Sequence, residues 1–214
     1  MAGEWQDAPL YTVSFPAGRE AVLALARRYD FEEGHSLQDE RLALRLYDET
    51  ARLALHDMAQ EMQALDASPR EILSYAALLH DIGYRVGYEE HHKHAFSMIM
   101  AEPIPGFSAR TQALVAHVAR YHRGGTPDPA RHGTYAALNP EDQQTVARLG
   151  ALLRFADGLD RSHTNAVQDL HCELDGTKLI VTLLPGQGDE TERWAGQKKA
   201  RWFEALYSVQ VILR

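Results

Sequence analysis

A helix with a legible start and a legible stop constrains this chain most. Ser68-Pro69-Arg70-Glu71 supplies an N-cap serine, a proline at the first helical position and an acid three residues past the cap. The apolar run that follows, Ile72, Leu73, Ala76 and Leu79, leads directly into His80-Asp81, and Gly83 stops it. A histidine and a carboxylate side by side at the end of a buried helix are a ready pair of divalent-metal ligands. His91, His92, His94, His117 and His122 follow, and then a second carboxylate, Asp157. Imidazole suits transition metals and carboxylate suits harder ones, so the mixed set fits Mn, Fe, Zn, Co or Mg, as one ion or two. The chemistry that goes with such a set is metal-activated water attacking a phosphate ester.

Helical phase sorts the candidates. Over residues 109–123, Thr111, Val115, Val118 and His122 fall on one stripe, so His122 points where the apolar side chains point. His117 is about 140° away from it at 3.6 residues per turn and is expected on a wetter face. Met98, one turn after His94, draws His94 rather than His91 or His92 toward the interior. Gly150, Leu153, Arg154, Asp157 and Arg161 share a side of another helix, where a half-buried Asp157 needs a metal or an arginine. Alone, Asp157 would be read as a surface ion pair with Arg154 or Arg161; downstream of His80-Asp81 it is read as a ligand. His35 lies in a turn, and its spacing alone does not select it.

The remaining pattern is mainly helical. Tyr11 to Phe15 alternates like a strand or arm; helices are expected over Arg19–Phe31, from Ser36 with Asp39 as a near capping box, over 92–100, over 109–123, and from Pro140 to Arg161. From residue 169 the period changes. Leu170–Leu174, the turn Asp175-Gly176 and Lys178–Leu184 predict a β-hairpin, followed by a helix over 191–207 and a strand over 209–213. The expected architecture is a helical domain over 1–168 with a small α+β appendage over 169–214. The appendage is expected to bury Trp194, Trp202, Phe203 and Leu206 against the body or a second copy of the chain, to leave His171 solvated, and to supply no metal ligand.

Charge and composition narrow the class. A formal charge of −8 disfavours broad nucleic-acid binding. One cysteine, Cys172, excludes an internal disulfide and a cysteine-based zinc cage. With no secretory signal and no apolar run long enough to span a bilayer, the chain is expected to be cytoplasmic and to have no membrane partner.

His35, the string Leu78-Leu79-His80-Asp81-Ile82-Gly83, and Asp157 together resemble the ordered H…HD…D pattern of the HD superfamily of metal-dependent phosphohydrolases. Closer still, the chain looks like the C-terminal, HD-type helical half of the exopolyphosphatase and guanosine pentaphosphate phosphohydrolase family. Glu33-Gly34-His35, His91–Ala95, Pro105–Ser108, Arg120–Arg123 and Leu153–Arg161 carry that likeness over roughly residues 20–210. The resemblance implies an HD-domain helical bundle in which His35, His80, Asp81 and Asp157 bind one metal, with His94 and His122 at the positions of a second. It implies Asp81, His94 and His122 as catalytic residues and a small phosphorylated substrate. Lys93, Arg120, Arg123 and Arg161 are the nearest cations to these ligands and the candidate phosphate clamps. The family's larger enzymes work in an N-terminal actin-like domain that is absent here, so only an HD-site activity is implied. Tyr84 stands where the cyclic-dinucleotide phosphodiesterases of the superfamily carry lysine. The alternative is a non-catalytic nucleotide- or phosphate-sensing or dimerisation module.

Overall fold

The computed structural model describes residues 17–58, 66–185 and 189–214. The alternating stretch Tyr11–Phe15 lies outside them. The described elements are α1 (Ala17–Arg28), α2 (Glu33–Arg52), α3 (Pro69–Leu79), a 3-10 turn (Ile82–Arg85), α4 (His91–Ala101), α5 (Ala109–Arg120), the one-turn α6 (Gly133–Ala136), α7 (Pro140–Gly158), β1 (Val167–Asp175), β2 (Lys178–Pro185), α8 (Glu190–Lys199), α9 (Arg201–Tyr207) and β3 (Gln210–Leu213). The chain is therefore mainly helical, with one small sheet near its C-terminus.

Local chemistry accounts for the best-defined ends. Ser68 Oγ accepts from Glu71 N at 3.3 Å, while the Glu71 carboxylate accepts from Ser68 N at 2.7 Å, a reciprocal capping box. Asn139 caps α7 by accepting from Asp142 N at 2.8 Å, with Pro140 next in line. α3 is buried almost throughout and lies against α2, α5 and α7, with Leu42, Leu46, Leu73, Val118, Leu149 and Phe155 in the shared core. Gly83 does more than stop a helix: a Cβ there would sit 2.0 Å from the carbonyl oxygen of His91. Only glycine lets the start of α4 come so close to the His80-Asp81 corner.

The sheet has the order β1-β2-β3, with β1 and β2 antiparallel, Cys172 opposite Val181, and β3 parallel to β2. A parallel neighbour needs a crossover, and α8 and α9 provide it. The free edge of β1 is covered by α2. Arg41 donates to Val167 O at 2.9 Å, Arg45 to Leu170 O at 3.0 Å and Arg52 to Cys172 O at 2.6 Å, while Glu49 accepts from Cys172 N at 2.9 Å. These residues recur at helical steps, so one stripe of α2 satisfies the backbone that a fourth strand would otherwise pair. α7 and α8 cross in backbone contact: a Cβ on Gly158 would lie 2.9 Å from the Gly196 Cα.

Several expectations change. α2 begins at Glu33, so Ser36 and Asp39 lie inside it and form no cap. The helix expected over 191–207 is divided at Ala200. Phe203 is buried, but Trp194 and Leu206 are exposed. His171, whose side chain is 37% exposed, is also ion-paired to Glu49 at 3.0 Å, because β1 lies directly on α2.

Candidate metal centre

Four histidine rings meet where α2, the end of α3, the start of α4 and the end of α5 converge, and each is held by its Nδ1. His35 Nδ1 is 2.8 Å from the Asp160 carboxylate, His80 Nδ1 2.7 Å from Ala77 O, His91 Nδ1 3.0 Å from Tyr88 O and His122 Nδ1 2.7 Å from Ala119 O. A carbonyl can only accept, so in His80, His91 and His122 Nδ1 carries a proton, which leaves Nε2 as the atom that would meet a metal. This is the arrangement in which an outer hydrogen bond fixes the tautomer of a metal-binding imidazole. The Nε2 atoms all turn inward, and the carboxylates of Asp39, Asp81 and Asp157 complete the set.

Asp81 stands between two groups. Its Oδ2 lies 3.4 Å from His80 Nε2 and 3.8 Å from His35 Nε2. Its Oδ1 lies 3.2 Å from His91 Nε2 and 3.4 Å from His122 Nε2. On the first side, Asp39 Oδ2 is 3.4 Å from His80 Nε2 and 3.6 Å from His35 Nε2, and Asp157 Oδ1 is 4.0 Å from His35 Nε2. His35, Asp39, His80 and Asp157 form one set close enough to share an ion, and His80, Asp81 and His122 another.

The hydrogen bonding fits a cation. Both oxygens of Asp39, His35 Nε2 and His80 Nε2 are buried without any hydrogen-bond partner. Buried polar atoms are normally satisfied, and an unpaired carboxylate in the interior is costly. Burial, with the Asp157 charge added, holds the Asp39 carboxyl well above the usual carboxylate range. Burial also opposes a charge on His80, but Asp81, Asp39 and Asp157 outweigh it and push His80 up to about 10. For Asp81 the burial penalty is overcome by His80, His91 and His122, which hold it well below the usual range. His122, buried and next to His80, is held well below an ordinary imidazole. The crowding of carboxylates is thus felt most at Asp39 and His80, two groups that a divalent ion would bind.

Above the centre opens a cavity of about 720 Å³. Asp81 and Asp157 are the carboxylates on its wall among the described residues, against the cations Arg123, Arg154, Arg161, Lys198, Lys199 and Arg201. Arg154 donates to Tyr121 O at 2.7 Å and to Gly125 O at 3.2 Å, and it stacks on Trp202 at 4.8 Å. Burial lowers it to about 10, opposed by Asp157. Lys199 forms an ion pair with Asp157.

The structure therefore gathers His35, His80, Asp81, His122 and Asp157, but not all the candidates. His94 belongs to neither group, and His91 stands beside Asp81 instead. The buried stripe of α4 is His91, Ala95 and Ile99, and that phase turns His94 aside. His117 stays out of the centre, as expected, but it is 2% exposed instead of wet, with Nδ1 on Ala113 O at 2.8 Å and Phe96 against its ring. Lys93 is ion-paired to Glu90 and Arg120 stacks on Phe96, so of the expected clamps only Arg123 and Arg161 reach the cavity. Asp39 and His163 were missed. His163 lies flat on His35, with ring centroids 3.7 Å apart, and its Nδ1 is held by Glu32 at 2.9 Å. It sits at φ 56° in an exposed loop, where no sequence signal distinguishes it.

The family model "Ppx/GppA phosphatase, domain III" matches residues 19–188, a span that contains His35, Asp39, His80, Asp81, His91, His122 and Asp157. With most of its length covered and this cluster within the match, the chain belongs to the Ppx/GppA phosphatase domain III family.

Proposed function

We propose that the chain is an HD-type metal-dependent phosphohydrolase acting on a small phosphorylated substrate. The observation that carries this reading is Asp81, whose two oxygens face two separate groups of inward-turned Nε2 atoms. His35, Asp39, His80 and Asp157 would hold one divalent ion, and His80, Asp81 and His122 a second, with His91 beside Asp81 within reach of it. Bound there, a divalent ion supplies Lewis acidity and a water of lowered pKa.

The chain's own residues perform the rest. Asp160 orients His35, and the carbonyls of Ala77, Tyr88 and Ala119 orient the other rings, so the ligand set is formed before anything binds. Arg123, Arg154 and Arg161 offer planar donors for phosphate oxygens at the mouth. Burial of His35, Asp39, His80, His91 and His122, each at most 2% exposed, strengthens the charge interactions among them. The overall charge of −8 fits a small ligand drawn in by a local cationic patch better than an extended nucleic acid.

The test is a panel of nucleotides, pyrophosphate, polyphosphate and model phosphoesters with Mn²⁺, Mg²⁺, Co²⁺ or Zn²⁺. Hydrolysis that requires added metal and falls at least about a hundredfold in Asp81→Ala is expected. No hydrolysis across the panel by demonstrably metal-loaded protein would replace this reading with the phosphate-sensing one.

A further inference from the structure

We propose that Lys199 is a movable counter-ion of the centre: it pairs with Asp157 at the edge of the cluster, and passes to a phosphate oxygen of the ligand when a divalent ion takes Asp157. The proposal rests on the reading of the cluster as a metal site and adds a coupling between metal and phosphate that the ligand set alone does not contain.

Lys199 comes from outside the helices that hold the histidines. It is the last residue of α8, brought over α7 by the backbone contact of Gly158 with Gly196. Its ammonium lies on Asp157 Oδ2, and Asp157 Oδ1 turns toward His35 Nε2. The side chain is 24% exposed, so it stands at the boundary between the buried cluster and the cavity. One carboxylate is therefore shared between a lysine and the position where a divalent ion would bind.

That sharing cannot survive metal binding unchanged. A dication on Oδ1 and an ammonium on Oδ2 of one carboxylate repel each other, more strongly at the edge of a buried cluster than in bulk water. The lysine stem is flexible, and its head moves at low cost along the cavity wall. The wall offers it no replacement among the described residues. The other carboxylate there is Asp81, itself committed to the cluster, and the remaining charged groups are Arg123, Arg154, Arg161, Lys198 and Arg201. A displaced Lys199 thus adds a further positive charge to an already cationic cavity. A multiply charged phosphate group relieves it, and inorganic phosphate has the required chemistry. Metal should then bind more tightly when phosphate is present, and, by linkage, phosphate more tightly when metal is present.

The experiment is calorimetric titration of metal-stripped protein with Mn²⁺, with and without inorganic phosphate, for wild type, Lys199→Met and Lys199→Arg. Phosphate is expected to tighten Mn²⁺ binding to wild type by about tenfold, within the usual range of coupling between sites. Lys199→Met is expected to bind Mn²⁺ more tightly than wild type in the absence of phosphate, and to lose most of the enhancement by phosphate. Lys199→Arg, which keeps the charge, retains the enhancement and controls for folding of the α7–α8 crossing. Mn²⁺ binding by Lys199→Met that is no tighter than wild type, or an intact phosphate effect in it, overturns the proposal while leaving the metal reading in place. Absence of Mn²⁺ binding by wild type overturns both.

Discussion

Asp39 shows how a site residue hides in a sequence. The pattern Ser36 to Asp39 approaches a capping box, and local spacing carries no sign that α2 already begins at Glu33. Only the assembled fold turns Asp39 toward His35 and His80, fully buried and with both oxygens unpaired. By contrast, His80-Asp81 was legible because the apolar run of α3 delivers it to the interior by itself. His122 was legible because the buried stripe of α5 continues into the turn that follows. If Asp39 helps hold an ion, Asp39→Asn keeps the shape and removes the charge. We expect it to weaken Mn²⁺ affinity by about 10- to 100-fold, with unchanged far-ultraviolet circular dichroism. Unaltered affinity in a folded Asp39→Asn protein would assign Asp39 a packing role only.

At the scale of elements, phase decided which expectations held. α5 turns His122 inward along the stripe of Thr111, Val115 and Val118, although His117 on another face is buried too. In α4 a single apolar neighbour, Met98, indicated His94, whereas the true buried stripe runs His91, Ala95, Ile99. The helix is short and its apolar face is weakly marked, so the sequence could not choose between two histidines less than one turn apart. The hairpin turn was legible from Asp175-Gly176, with Gly176 at φ 57°. The docking of β1 on α2 was not, because arginine and glutamate at helical steps read as a solvated face. Glu49 makes this junction pH-sensitive. Its burial would raise its pKa, but Arg52, the Cys172 N–H and His171 outweigh that and hold it below the usual carboxylate range. A carboxylate depressed in the folded state stabilises the fold above its unfolded-state pKa, and that contribution fades as pH falls through the lower folded value. Glu49→Gln should therefore cost about 1–3 kcal/mol near pH 7 and have a shallower loss of stability toward acid. Parallel acid unfolding curves for the two proteins would show that Glu49 does not carry the effect.

For the whole molecule, the helical class, the order of the elements and the C-terminal sheet could be read from hydrophobic period and turn chemistry. The union of distant parts could not. The crossing of α7 and α8 depends on two glycines in different helices, Gly158 and Gly196, neither of which is remarkable where it stands in the sequence. That crossing brings Lys198, Lys199 and Arg201 to the cavity and makes the C-terminal segment a wall of the site. It also explains the exposure of Trp194, which lines the cavity mouth where a buried core residue was expected. Among the described residues no helix is long and apolar enough to cross a membrane. The result is a chain acidic as a whole, with a cationic cavity set over an inner cluster of carboxylates and imidazoles. Such a distribution has a purpose if a divalent ion sits in the cluster and a phosphate above it. The most direct check is the Mn²⁺ stoichiometry of metal-stripped wild type compared with Asp81→Ala. Saturable binding of one or two ions per chain in wild type, lost or reduced to one weak site in a folded Asp81→Ala protein, is the predicted result. No binding by folded wild type, or unaltered binding by Asp81→Ala, would contradict it.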